Sequence, residues 1–201
     1  MSFYICSNSE DNYVEQAVSL HIRHLSDGGF ITKLGNDFLL ALYKDWLRLG
    51  NAILIFSLEG DKLNGFVLGI KKKDRLFNPI KARPITYLGY LLSAILKKPF
   101  LLPKIIESIF YEGKSTTKIN AELLVIVTDG ENRSRGIGSE MVGLLGKEFL
   151  DCGINEYVVT VRKEMERSNN FYVKNKMTLC DSFLFYGKIW NMYKKTITEK
   201  C

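Results

Sequence analysis

The sequence predicts an α/β domain built on a mixed, mostly antiparallel sheet, and three stretches carry that prediction. Residues 121–128 form a near-continuous apolar run of strand length, the pattern of a central strand buried on both faces. The chain then passes through polar Asp129-Gly130 and a glycine-lined turn into an amphipathic helix and a second apolar strand at 156–161. Strand, helix and strand in that order close as a right-handed parallel crossover. The third stretch is a pair of apolar runs, 52–56 and 63–70, on either side of Glu59-Gly60-Asp61, which reads as an antiparallel hairpin. At 201 residues, 46% hydrophobic and 25% charged, the chain has material for one globular domain spanning 1–201 with an ample core.

The remaining elements follow from periodicity and end signals. Phe3-Tyr4-Ile5-Cys6 is a short strand, and Ser7 to Glu10 has capping-box spacing ahead of a helix. Val14, Ala17, Val18, His21, Ile22 and Leu25 then recur at helical spacing until Gly28-Gly29 ends the run. A second helix starts with Asn36 as N-cap, buries Phe38, Leu39, Leu42, Trp46 and Leu49, and stops at Gly50. Residues 72–118 read as a helical insertion before the central strand. Pro84 opens one helix running to Leu96, and Leu102 to Phe110, with Pro103 near its start, makes another. After the central strand, Ile137, Met141, Leu144, Leu145 and Phe149 form the inner face of a helix that Gly153 stops. A further helix spans Glu164 to Asn175, and the apolar, aromatic segment 178–197 supplies two closing strands.

Charge and cysteine usage narrow the partners. The N-terminus lacks a basic region followed by an apolar core, so no secretory signal is expected. Cys6, Cys152, Cys180 and Cys201 form no pair at metal or redox spacing, which suits free thiols in a reducing cytoplasm. His21 and His24 share a helix face, but no Cys, Asp or Glu cluster joins them to complete a metal site. The net charge of +6 favours anionic partners. From Lys71 to Lys118 there are eleven basic residues against Asp74, Glu107 and Glu112, a local net of +8. Such charge suits nucleic acid in general, yet no nucleic-acid-binding motif accompanies it. The apolar runs of the insertion are too short and too broken by lysine and proline to span a bilayer. Two readings stay open for it: a lid packed on the domain to shape an acceptor site, or basic, leucine-rich helices resting on an anionic membrane surface or a lipid-linked substrate.

The segment Arg133-Ser134-Arg135-Gly136-Ile137-Gly138 is where the chemistry concentrates. A strand before it and a helix N-terminus after it aim unpaired backbone N–H groups and the positive end of the helix dipole at one spot, where glycines let an anion come close. Arg133 and Arg135 add guanidinium charge suited to pyrophosphate. A dinucleotide-binding reading of Gly136-Ile137-Gly138 fails because Met141 stands where the third glycine belongs, and no Gly-Lys-Ser/Thr follows for a P-loop. The segment resembles the Arg/Gln-x-x-Gly-x-Gly/Ala signature of GNAT-type, acetyl-CoA-dependent N-acetyltransferases. Downstream, Ser168 to Met177, containing Phe171-Tyr172, resembles the family's Ala-x-x-Phe-Tyr-x-x-x-Gly-Phe segment. The resemblance implies the GNAT fold: a mostly antiparallel sheet with one splayed parallel pair and flanking helices. It also implies that Arg133, Ser134, Arg135, Gly136, Ile137, Gly138 and Ser139 hold the pyrophosphate of coenzyme A. Ile126, Val127 and Thr128 of the preceding strand would pair with its pantetheine arm.

Two residues are candidates for proton transfer. Glu122 lies eleven residues before Arg133, the offset at which histone-type GNAT enzymes carry a glutamate base. A partly desolvated carboxylate can take a proton from an amine directly or through water, although a strand-edge glutamate is equally at home solvated or paired with a lysine. Tyr172 falls on the family tyrosine that faces the coenzyme sulfur and protonates the departing thiolate. An amphipathic helix can also bury Phe171-Tyr172 purely as core. Oxyanion support, by the same resemblance, comes from a backbone N–H at a bulge in the central strand, placed at Val127 or Thr128. Met165, Thr128 and Lys176-Met177 depart from the family's asparagine, valine and Gly-Phe.

The resulting expectation is an N-acetyltransferase moving acetyl from acetyl-CoA to a primary amine in a ternary complex. No cysteine stands at a nucleophile position that would suggest an acyl-enzyme. The leucine-rich second helix and basic insertion resemble GNAT proteins of amino-sugar and polysaccharide biosynthesis, so a nucleotide-linked amino sugar is the expected acceptor. The alternatives are a protein or peptide amine, or a non-catalytic acyl-CoA-binding or membrane-surface module. Oligomeric state is not legible, since the aromatic tail can close its own sheet or exchange with a second copy.

Overall fold

A computed structural model describes residues 1–25, 31–103, 117–129 and 136–198. Among them, seven strands form one sheet in the order β1-β2-β3-β4-β5-β7-β6. The strands are β1 Ser2–Ile5, β2 Ala52–Glu59, β3 Lys62–Ile70, β4 Glu122–Thr128, β5 Glu156–Arg162, β6 Thr178–Phe185 and β7 Lys188–Thr196. Every neighbouring pair is antiparallel except β4 and β5. The helices are α1 Asn12–Leu25, α2 Asn36–Arg48, α3 Asn78–Ala82, α4 Pro84–Lys97, α5 Ile137–Asp151 and α6 Glu166–Lys174.

Alternation along β2 and β3 explains why the sheet needs helices on both faces. Leu54, Phe56, Phe66 and Leu68 point into one core with Val14, Phe38, Leu39 and Trp46 of α1 and α2. Ile53, Ile55 and Val67 point the other way, against Met141, Leu145 and Phe149 of α5 and Tyr172 of α6. α5 seats so closely on β3 that a methyl group on Gly69 would lie 2.6 Å from Leu145 Cδ1.

The helix starts differ from the sequence reading. The Ser7–Glu10 capping box is not used: Asp11 Oδ1 instead accepts the backbone N–H of Tyr13 at 2.9 Å, one turn later. Asn36 is the first residue of α2, not its cap. Gly35, at φ 104, precedes it and makes no side-chain capping bond. In both places a local hydrogen bond or backbone turn set by the preceding segment outcompetes the capping pattern.

The helical insertion is present, and its main helix falls where the proline signal placed it. A short helix, α3, precedes it and was not legible. Residues 104–110 of the second expected helix lie outside the described residues, while Pro99–Leu101 form a single 3-10 turn. The insertion is tied to α2 by Asp45, a buried carboxylate. It accepts from Arg48 at 2.7 Å, from Arg83 at 3.2 Å and from the Tyr87 hydroxyl at 3.0 Å. Phe38 and Tyr87 meet edge-on, with ring centroids 5.5 Å apart, completing the seam.

Candidate active site

The sheet opens where β4 and β5 part. Their parallel pairing is confined to Glu122 opposite Val158, supported by the Val158 N–H donating to the Ala121 carbonyl at 3.0 Å. Beyond that point β4 stays paired with β3 through Val127 and Thr128, opposite Phe66 and Gly65, while β5 turns to β7. A V-shaped gap results, with Glu122 at its vertex and the start of α5 at the far end of β4.

A β4 irregularity contributes to this divergence. In the β3 pairing, Leu68 faces Val125 and the next residue, Gly69, faces Leu123, so Leu124 is the extra residue of a bulge. The sequence reading placed the bulge at Val127 or Thr128. It lies nearer the vertex because Leu124 and Val125 both pack into the α1–α2 core, and two consecutive inward side chains require the break in alternation there.

Glu122 is buried, and the Thr160 hydroxyl of β5 donates to its Oε1 at 3.0 Å. Sequence reasoning missed Thr160, because the contact depends on the parallel register of two strands 38 residues apart. Tyr172 is buried too, between Phe171 and Tyr193, whose ring centroids lie 5.3 and 5.9 Å from its own. Burial raises the Tyr172 phenol well above the ordinary tyrosine range, and the negative charge of Glu122 raises it further. The two candidate proton-transfer groups therefore share one electrostatic environment.

Gly136 and Gly138 serve different purposes. Gly136 caps α5 in the left-handed region, at φ 84, with open space around its missing side chain, so its need for glycine is conformational. A methyl on Gly138 would stand 3.1 Å from Phe171 Cε2 and 3.9 Å from Ile126 Cδ1. Gly138 thus lets α5, α6 and β4 converge, which joins the two sequence motifs physically. Ile137 is buried and Ser139 exposed at the start of the same helix. Arg133, Ser134 and Arg135 lie outside the described residues.

Asn169, one turn before Tyr172, holds this corner. Its side-chain N–H groups donate to the carbonyls of Arg162, Lys163 and Met165 at 3.0, 3.3 and 2.8 Å. Its Oδ1 accepts from Asn191 and from the Tyr193 hydroxyl, each at 2.9 Å. This buried amide uses both ends to pin α6 to the β5 exit and to β7. The Asn-Asn pair before Phe171 was its only sequence signal. At the other side of the mouth, His24 Nε2 of α1 lies 3.4 Å from Asp129 Oδ1, the residue that follows β4.

No protein-family model matches the chain, and no curated protein matches it in sequence. Solved structures do match in fold. An aminoglycoside 6′-N-acetyltransferase complexed with coenzyme A superposes with a TM-score of 0.61 at 13% identity, covering 100% of this chain and 99% of the other. An N-acetyltransferase from Staphylococcus aureus gives 0.61 at 13% identity over 96% and 100%. RimL, a ribosomal alpha-N-protein acetyltransferase in complex with coenzyme A, gives 0.59 at 13% identity over 98% and 95%. The chain has the GNAT fold, with its splayed parallel strand pair, flanking helices and an added helical insertion.

Proposed function

We propose that this protein is an N-acetyltransferase that uses acetyl-CoA. The observation that carries the reading is the gap between β4 and β5, with a glycine-capped helix N-terminus at its open end and Glu122 and Tyr172 near its vertex. Pyrophosphate is assigned to the start of α5, where Gly136, Ile137, Gly138 and Ser139 present the helix dipole, and to Arg133, Ser134 and Arg135 preceding it. The pantetheine arm is assigned to the β4 edge that β5 leaves open, along Ile126, Val127 and Thr128.

In this reading Glu122 acts as base, taking the amine proton through a water, because its carboxylate is enclosed by the sheet. The amine nitrogen bonds to the thioester carbonyl, and a backbone N–H in the bulged stretch of β4 stabilises the oxyanion. When the carbon–sulfur bond breaks, Tyr172 gives its proton to the thiolate. The two proton transfers are coupled. A charged Glu122 holds the Tyr172 proton in place, and a Glu122 that has accepted the amine proton no longer does, so the acid strengthens as it is needed.

For the acceptor, we assign a nucleotide-linked amino sugar. The cationic insertion packed on α2 suits an anionic substrate, and the fold itself does not choose, since neighbours act on aminoglycosides and on protein N-termini. Calorimetric titration with acetyl-CoA, coenzyme A and desulfo-coenzyme A tests the site. Micromolar binding that Arg133→Ala/Arg135→Ala abolishes is expected. Tyr172→Phe should keep that affinity while kcat for thiol release falls about 10²-fold or more. Absence of coenzyme binding, or unchanged turnover in Tyr172→Phe, would reject the assignment. A panel of amino-sugar nucleotides against N-terminal peptides then decides the acceptor class.

A further inference from the structure

The outer face of α4 is apolar, exposed and flanked at both ends by positive charge. Ile85, Leu88, Leu92 and Leu96 recur at spacings of 3, 4 and 4 along one side of the helix, with relative exposures of 86%, 56%, 52% and 84%. Phe100, at 59%, continues the patch past the helix end. The opposite side is fixed to the domain: Tyr87 and Ala94 are buried, and Tyr87 is bonded to Asp45. α4 therefore cannot rotate its leucines inward without breaking that seam. The 13 residues from Pro84 to Leu96 include no charged side chain, and no acidic residue occurs between Asp74 and Glu107. A helix apolar on both sides is one whose second side is also covered in use.

We infer that this face docks on an anionic lipid bilayer. Lys81 and Arg83 stand before the helix, and Lys97 and Lys98 end it. The exposed Lys81, Lys97 and Lys98 have no ion pair among the described residues. Cations at both ends of an exposed leucine stripe match a surface that is apolar beneath and negatively charged at the headgroups. A second copy fits less well. Pairing two α4 faces antiparallel sets Lys81 against Lys97 and Lys98, and pairing them parallel sets each end against its own copy. Both arrangements bring like charges together. The helix rises about 21 Å at 1.5 Å per residue and lies in the interface instead of crossing it; among the described residues no helix is long and apolar enough to cross a membrane. This inference stands apart from acetyl transfer, and its test needs no activity.

The test is co-sedimentation of the whole protein with vesicles of phosphatidylcholine, alone or with roughly a third phosphatidylserine, at about 0.1 M and about 1 M salt. Binding to the mixed vesicles at low salt, at least about tenfold weaker at high salt or on neutral vesicles, is expected. Lys97→Glu/Lys98→Glu should weaken it about a hundredfold, and Leu88→Ser/Leu92→Ser/Leu96→Ser at least about tenfold. Because these side chains are exposed, both variants should keep the wild-type circular dichroism and thermal midpoint. A wild-type protein that ignores anionic vesicles, or a serine variant that stays folded and binds them equally, overturns the inference. Self-association lost in the serine variant without vesicle binding would give the face to a second copy and also overturn it.

Discussion

His21 shows how a residue can be misjudged by its type and understood by its surroundings. The sequence sets it beside His24 as half of a metal-like pair, but the fold buries its ring and hydrogen-bonds Nδ1 to the Tyr43 hydroxyl at 2.7 Å. Burial lowers its pKa from 6.5 to about 4, so the folded protein holds it neutral while the unfolded chain lets it charge. Between those values the unfolded state binds more protons. Stability is therefore full above pH 6.5 and falls as pH drops towards 4, with no further loss from this group below that. The effect is on the order of 3 kcal/mol. His21→Gln retains a partner for Tyr43 and should flatten the decline of the thermal midpoint across that window; an unchanged decline would assign the acid sensitivity elsewhere. At the same scale, motif offsets singled out Glu122 and Tyr172 as candidates, whereas no offset pointed to their neighbours Thr160 and Asn169. Hydroxyl and amide contacts across strands leave no periodic mark in a sequence.

α4 and α2 illustrate what an element owes to its neighbours. Proline at the first turn and the apolar spacing were enough to place α4, yet they could not say which of its two apolar sides faces inward. Asp45 decides that by drawing Arg83 and the Tyr87 hydroxyl onto α2. Replacing Asp45 by Ala removes the buried carboxylate that two arginines share and leaves the Tyr87 hydroxyl without its acceptor, at a cost of about 2–3 kcal/mol. Hydrogen exchange should quicken along α4 in that variant and stay unchanged in β4 and β5. Equal quickening throughout would mean that the seam supports the whole domain instead of the insertion. The β4 bulge belongs to the same scale. Its existence follows from a central strand that must leave one neighbour, but its position depends on Leu124 and Val125 both finding room in the α1–α2 core.

Across the whole molecule, the two faces of one sheet bury separate cores that meet only through the strands, and the candidate site lies where the strands diverge. A ligand in that gap would bridge β4, β5 and the start of α5, adding contacts between two strands that pair in parallel at one position only. Acetyl-CoA at about 100 times its dissociation constant should stabilise the protein by about 2.7 kcal/mol. For a chain of this size that raises the thermal midpoint by roughly 5–10 °C. Arg133→Ala/Arg135→Ala should remove the rise. A rise that persists in the double variant would place the coenzyme somewhere other than the start of α5.

The order of the strands and of the longer helices, the central strand, the crossover and the glycine-capped helix were readable directly, because each depends on patterns within about 20 residues: period, caps and turn residues. The splay of β4 from β5 was expected through the family resemblance and not from any pattern in the two strands, while the burial of Glu122 against Thr160, the field it exerts on Tyr172 and the outward turn of the α4 leucines belong to the tertiary structure. Each arises from side chains tens of residues apart competing for the same space, and a linear pattern carries no record of which of them prevails.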